Sequence, residues 1–222
     1  MKTKFLTLFC LASLATASAL ATPALEKLSE DDIAVAKKYL QLRMDYAKSD
    51  KYNPRPFYHG LVAEAMELFG QKKYGDVLEK LAPALEKDPY SVKLLPVKMA
   101  ALLQLGKTNE AVAVREAYFG ILHSIFITGD GQSHETAMRV ISIDEEYAIL
   151  QLTGLRPLGQ ALTTKDGHSY DVLTVRTPEG YEEDKTFDLY FNVDPLFKGS
   201  ILGLLKDEKP AKPVPELTEQ KQ

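Results

Sequence analysis

Cysteine is all but missing from this chain. The one present, Cys10, falls inside an N-terminal stretch built like a secretory leader. Lys2 and Lys4 give a positive start, Phe5 to Leu14 an apolar segment, and Ala15 to Ala21 a run of small residues. Ala19-Leu20-Ala21 is the small-x-small triplet that signal peptidase reads, so cleavage is expected after Ala21. The apolar segment falls short of the roughly 20 residues needed to cross a bilayer, which argues against a retained anchor. Bulky Phe9 precedes Cys10 where lipid attachment wants a small side chain, and no twin-arginine pair is present. The leader therefore reads as bacterial and ordinary.

A mature chain from Thr22 has no cysteine, which excludes disulfides, a thiolate nucleophile and thiolate metal sites. It also lacks an excess of basic charge. The formal charge of -4 includes two positive charges from Lys2 and Lys4, and becomes -6 without them; nucleic acid is not an expected partner. Catalytic signatures are missing too: no Gly-x-Ser-x-Gly elbow, no His-Glu-x-x-His helix, no phosphate-binding glycine loop and no dinucleotide fingerprint occurs.

The pattern that is present divides the chain. Apolar residues keep helical spacing from Ser29 to about Ile127, then alternate or run in short blocks from Met138 to Val193. Ser29 predicts an N-cap, with Glu30, Asp31 and Asp32 in the first turn, where the helix dipole favours acids. Ile33, Ala36, Tyr39, Leu40 and Tyr46 share one face of that helix, and Tyr52-Asn53-Pro54-Arg55-Pro56 ends it. Two helical hairpins follow. Ala65 and Met99, Leu68 and Leu102, and Val77 and Ala111 correspond at about 34 residues, the tetratricopeptide period. Arg115 and Pro83 depart from that pattern, and two repeats are too few to stack alone, so the first helix and the later half must cover them.

The later half predicts a strand over Met138 to Ile143 and a short helix capped by Asp144 and ended by Gly154. A strand over Leu158 to Thr163, an Asp166-Gly167 hairpin turn and a strand over His168 to Thr177 come next. In Lys185 to Val193, strict alternation places Phe187, Leu189, Phe191 and Val193 on one face, with antiparallel pairing to His168 to Thr177. The expected class is α+β: antiparallel helical hairpins, then a small mostly antiparallel sheet with one short helix. The divisions are residues 1–21 as leader, 22–127 helical, 128–200 mixed, and 201–222 a disordered tail rich in proline and charge.

Five groups of residues carry a family resemblance: Leu42-Arg43-Met44-Asp45-Tyr46; Gly129-Asp130-Gly131 with Ala137 and Ile141-Ser142-Ile143; Glu145-Glu146-Tyr147; Gly167 with Tyr170-Asp171-Val172; and Tyr190-Phe191-Asn192-Val193. Over roughly Tyr39 to Val193 the chain resembles a family of secreted bacterial proteins described as a domain of unknown function, number forty-nine nineteen. The resemblance implies export and this architecture, and no activity, substrate or cofactor.

Candidate chemistry rests on scattered residues. Asp130 and His134 share a loop rich in oxygen and imidazole groups, but it lacks the alternating acids of a calcium loop, and a capped turn explains it better. Glu145 and Glu146 are an acid pair, although adjacent residues on a helix point about 100° apart and acids favour a helix start. His168 and Asp171 pair a histidine with a carboxylate, yet residues three apart on a strand face opposite sides. His59 and His123 read as capping or packing residues, and Tyr39, Tyr46, Tyr74 and Tyr118 as core rather than a peptide groove. No metal and no cofactor is expected. The sequence favours an exported, non-enzymatic interaction or scaffold protein with a protein or peptide partner in the cell envelope. The alternative is an envelope hydrolase or lyase, which would need Asp130, His134, Glu145 or His168 to converge between the two halves.

Overall fold

The computed structural model is described for residues 28–178 and 185–197. The expected leader, the expected C-terminal tail and the turn residues Glu179 and Gly180 lie outside them. Helices α1 (Glu30–Lys48), α2 (His59–Gly70), α3 (Tyr74–Lys87), α4 (Leu95–Gln104) and α5 (Thr108–Phe126) come first. Strand β1 (Met138–Arg139), helix α6 (Ile143–Thr153), β2 (Arg156–Lys165), β3 (His168–Arg176) and β4 (Thr186–Asn192) follow, then a 3-10 turn at Asp194–Phe197. This is an α+β fold with its helices leading.

Helix α1 begins as its sequence dictates. Ser29 Oγ accepts the Asp32 amide at 3.1 Å while Asp32 returns a carboxylate to the Ser29 amide, a reciprocal capping box. Its buried residues Ala36, Arg43 and Ala47 recur at helical spacing on one face. That face packs on α5, where Gly120 makes room for the Tyr39 ring; a Cβ there would run into the ring.

Helices α2 and α3, and then α4 and α5, form two pairs whose turns repeat at 34 residues. Lys73 donates its amide to the Leu68 carbonyl at 3.0 Å, and Lys107 does the same to Leu102 at 2.9 Å. Lys72 and Gly106 hold matching left-handed conformations, with φ of 61° and 70°. The equivalent buried positions Val77 and Ala111 lie behind these turns. The likeness ends one turn further on, because Leu81 is buried whereas its counterpart Arg115 lies outside over the Phe119 ring. Pro83 does not end α3; it sits on an exposed face of the helix.

The sheet has the order β1-β4-β3-β2. β2, β3 and β4 are antiparallel neighbours, and β1 runs parallel to β4. Asp166 and Gly167, at φ of 50° and 80°, make the β2–β3 hairpin turn that their sequence predicts. β4 buries Leu189 and Phe191, with Val193 just beyond its end, while Phe187 is only partly covered and Asp188 faces out. Two expectations are corrected. The strand at Met138 is two residues long, because Ser142, not Asp144, caps the next helix: Ser142 Oγ accepts the Glu145 amide at 3.3 Å, which commits Ile143 to helix. β2 is longer than expected, a solvent-facing edge strand with a bulge between Pro157 and Gly159.

One core joins both halves. Leu122, Ile125 and Phe126 of α5 pack in the same cluster as Ile149 of α6 and Leu173, Leu189 and Phe191 of the sheet. A smaller cluster centred on Ala65, Val77, Leu81, Leu94 and Ala101 holds the first helix pair to α4.

Candidate functional site

The most polar part of the interior lies where α6 meets the helices. Arg43, fully buried on the inner stripe of α1, sends Nε to Glu145 Oε1 at 2.8 Å and Nη2 to Glu145 Oε2 at 2.5 Å. Nη1 donates to Ser124 Oγ of α5 at 2.8 Å, and Nη2 also reaches the Arg139 carbonyl of β1 at 3.3 Å. One guanidinium thus ties four elements with the fork geometry that makes arginine–carboxylate pairs strong. Glu145 further accepts the Ile141 amide at 2.8 Å, and the Ile141 carbonyl accepts the Tyr52 hydroxyl at 2.5 Å. The acid that its place at a helix start appeared to explain is therefore an internal counter-ion.

Tyr52 leads outward to a cluster of tyrosines. Its ring meets that of Tyr46 edge-on at 5.6 Å, and Tyr46 meets Tyr90 in the same way. Beside them is Asp88, whose carboxyl is pushed up to about 6, first by burial and then by the charge of Glu145, with a hydrogen bond from Tyr58 acting the other way. The cluster opens into a groove of about 680 Å³ whose walls include Tyr46, Phe57, Tyr58, Leu61, Lys51 and Lys87. Phe57 is 91% exposed at its edge. Lys80 also lines the groove and pairs with Glu64.

A second polar site lies on the sheet side of α6. Glu146 is completely buried and Asp171 of β3 is nearly so. Asp171 Oδ2 accepts a hydrogen bond from Gln160 of β2, whereas Asp171 Oδ1 and both oxygens of Glu146 meet no donor among the described residues. Burial, with the neighbouring charges of Asp171 and Glu145, pushes the Glu146 carboxyl up to about 9. Burial also raises Asp171, against the hydrogen bond from Gln160.

The other sequence candidates are held separately. Asp130 Oδ1 accepts the Gln132 amide at 3.0 Å and shapes its own loop. His134 lies on the opposite sheet face from Asp171, between the rings of Tyr170 and Tyr190, each 4.8 Å away, with Nε2 3.2 Å from Thr163 Oγ1. His168 pairs through Nδ1 with Asp194 at 2.5 Å. His59 lies 3.2 Å from Lys93, which bonds Asp144 at 2.6 Å, and His123 stacks loosely on Phe119. The structure thus brings together Glu146 and Asp171 but not the set Asp130, His134, Glu145 and His168. Among the described residues no three acids or histidines are placed to hold a metal ion.

Arg43 and Gln160 were missed as site residues. Arg43 carried a readable signal, since a charged residue on the stripe Ala36, Leu40, Arg43, Ala47 must be exposed at a cost or paired inside. Gln160 carried none, because only strand pairing sets it beside Asp171.

Fold and site together define an α+β protein in which a buried ion pair ties the first helix to α6, the helix that packs against the sheet. The family model for a domain of unknown function (DUF4919) matches residues 22–200, and the chain belongs to that family. Comparisons with curated proteins and with solved structures give no match.

Proposed function

We infer that this is an exported bacterial interaction protein whose tetratricopeptide-like helix pairs carry the binding surface and whose sheet braces them. The observation that carries the reading is Phe57, a large apolar side chain left 91% exposed at the edge of an aromatic groove. Burying such a ring on binding would contribute about 2 kcal/mol, so its exposure is most useful if a partner covers it. The groove's lysines Lys51, Lys80 and Lys87 outnumber its one acid, Glu86, on a chain of net negative charge. An extended acidic segment of an envelope protein with an apolar anchor matches that lining, its backbone along the tyrosines and its anchor against Phe57. The leader at residues 1–21 supports placement in the periplasm or outside the cell. The hydrolase or lyase alternative needs a convergence of acids and histidines that their separate partners do not supply.

Labelled peptide pools of acidic, neutral and basic character, titrated into the mature chain, test the reading. The acidic pool should bind, lose affinity about tenfold with Phe57→Ala, and weaken with added salt and with Lys51→Glu or Lys87→Glu. Equal binding of all pools, or indifference to these three variants, removes the groove from consideration.

A further inference from the structure

Three carboxylate oxygens at one buried spot lack a donor: Glu146 Oε1, Glu146 Oε2 and Asp171 Oδ1. Buried polar atoms in folded proteins nearly always have a partner, and two bare carboxylates at hydrogen-bonding range repel. Among the described residues, no cation is among the groups that shift Glu146 or Asp171. Arg43 is committed to Glu145, Ser124 and the Arg139 carbonyl. From β2 the neighbours of Asp171 are the neutral Gln160, which donates to it, and Leu162; from β4 its cross-strand neighbour is Phe191. On α6 itself the adjacent charge is Glu145, another acid. A proton is the smallest species that answers this arrangement.

We propose that Glu146 and Asp171 hold one proton between them, and that this proton is a pH-operated latch fastening α6 to the sheet. With it in place the Glu146 hydroxyl donates to Asp171 Oδ1, Gln160 serves Asp171 Oδ2, and the pair carries one negative charge instead of two. Losing it puts two adjacent carboxylates under the helix that also carries Glu145, so the strain falls on the residue next to the Arg43 ion pair. The latch thus couples the sheet to the polar junction beneath the groove. It does not depend on what binds there.

The direction with pH follows from linkage. In the unfolded chain Glu146 releases its proton near 4.5, whereas in the fold burial and the facing acid hold it to about 9. Stability is full below about pH 4.5 and is lost as pH rises toward 9, the folding constant falling roughly tenfold per pH unit across that window. Other acids add their own dependence, so the difference between variants carries the test.

Thermal unfolding of the full mature chain is compared for wild type and Glu146→Gln from pH 5 to 10, with infrared spectra of both at pH 7. The amide of the variant can still donate to Asp171 without a proton to lose. Wild type should show a protonated-carboxyl band that is absent from the variant, and the variant should be more stable, with its advantage widening as pH rises. Asp171→Asn removes the facing acid and leaves burial with the Glu145 charge, so the Glu146 midpoint should fall. Absence of the band from wild type overturns the proposal, as do parallel pH curves for the two proteins. Stabilisation by calcium or magnesium at pH 9 that requires both acids would overturn it too, by assigning the orphan oxygens to a metal ion. If Glu146→Gln does not fold, the carboxyl titration of wild type by carbon-13 NMR decides alone: a midpoint well above 7 supports the latch, and one near 4.5 ends it.

Discussion

Glu145 and Glu146 are adjacent on α6 and equally buried, yet their two sides of the helix are electrostatic opposites. Facing the helices, Glu145 has a bidentate arginine and a backbone amide as its donors. Facing the sheet, Glu146 meets another acid. Burial alone does not decide whether a carboxyl carries charge; the group opposite it does. The same substitution on the two sides should therefore have opposite signs.

The largest effect is expected from breaking the helix-side pair. Arg43→Met leaves Glu145 buried without its counter-ion and should cost about 3 to 5 kcal/mol in urea melts at pH 7. Removing both charges, as Arg43→Met with Glu145→Leu, should recover much of that loss, because an apolar pair has no desolvation penalty. If the double variant is as unstable as the single one, the ion pair positions the chain in a way that hydrophobic packing cannot replace.

The apolar side of the sheet gives the next scale. Phe191→Ala, at a fully buried position, should lose about 3 to 5 kcal/mol through the cavity it leaves. Phe187, expected from alternation alone to match it, is only partly covered and should lose less, about 1 to 2 kcal/mol. Asp188→Ala removes an exposed acceptor of the Thr174 hydroxyl and should stay within about 1 kcal/mol. Urea melts of the three variants check this order, and a collapse of Asp188→Ala alone would reverse the assigned faces.

On the sheet side of α6, Glu146→Gln should stabilise the protein at pH 8, where Glu145→Gln destabilises it. Denaturant melts at that pH show whether the signs differ. The smallest effect concerns Asp88. Its carboxyl, raised to about 6 mainly by burial, contributes stability that is full below about 3.8 and is lost as pH rises through 6. Tyr58→Phe removes a hydrogen bond that favours the charged form, so the Asp88 midpoint should move further up in an NMR titration.

What could be read in advance was local. Ser29 and its acids announce α1, the 34-residue spacing announces two matched helix turns, and the alternation after Lys185 announces the central strand and its buried face. What escaped was set by partners distant in the chain. The strand expected over Met138 to Ile143 was legible but not its length: it stops at Arg139, where its ladder with β4 ends. β2 contains Pro157 and Gly159, poor strand formers, and depends on β3 for its length. For the site, the acids Glu145, Glu146 and Asp171 were nameable, but their roles depend on Arg43, 102 residues from Glu145, and on a facing strand. Geometry along one element could separate His168 from Asp171; it could not reveal that Asp171 looks toward Glu146.

The edge strand β2 has a consequence for how copies of this protein meet. A strand with an open edge invites the same strand of a second molecule. This edge resists such zippering. Pro157 has no amide to offer, the bulge between Pro157 and Gly159 breaks the ladder, and a full antiparallel match would set Arg156 against Lys165 of the other copy. Among the described residues the sheet ends at β2, and these features oppose its extension by a second copy into a fibre.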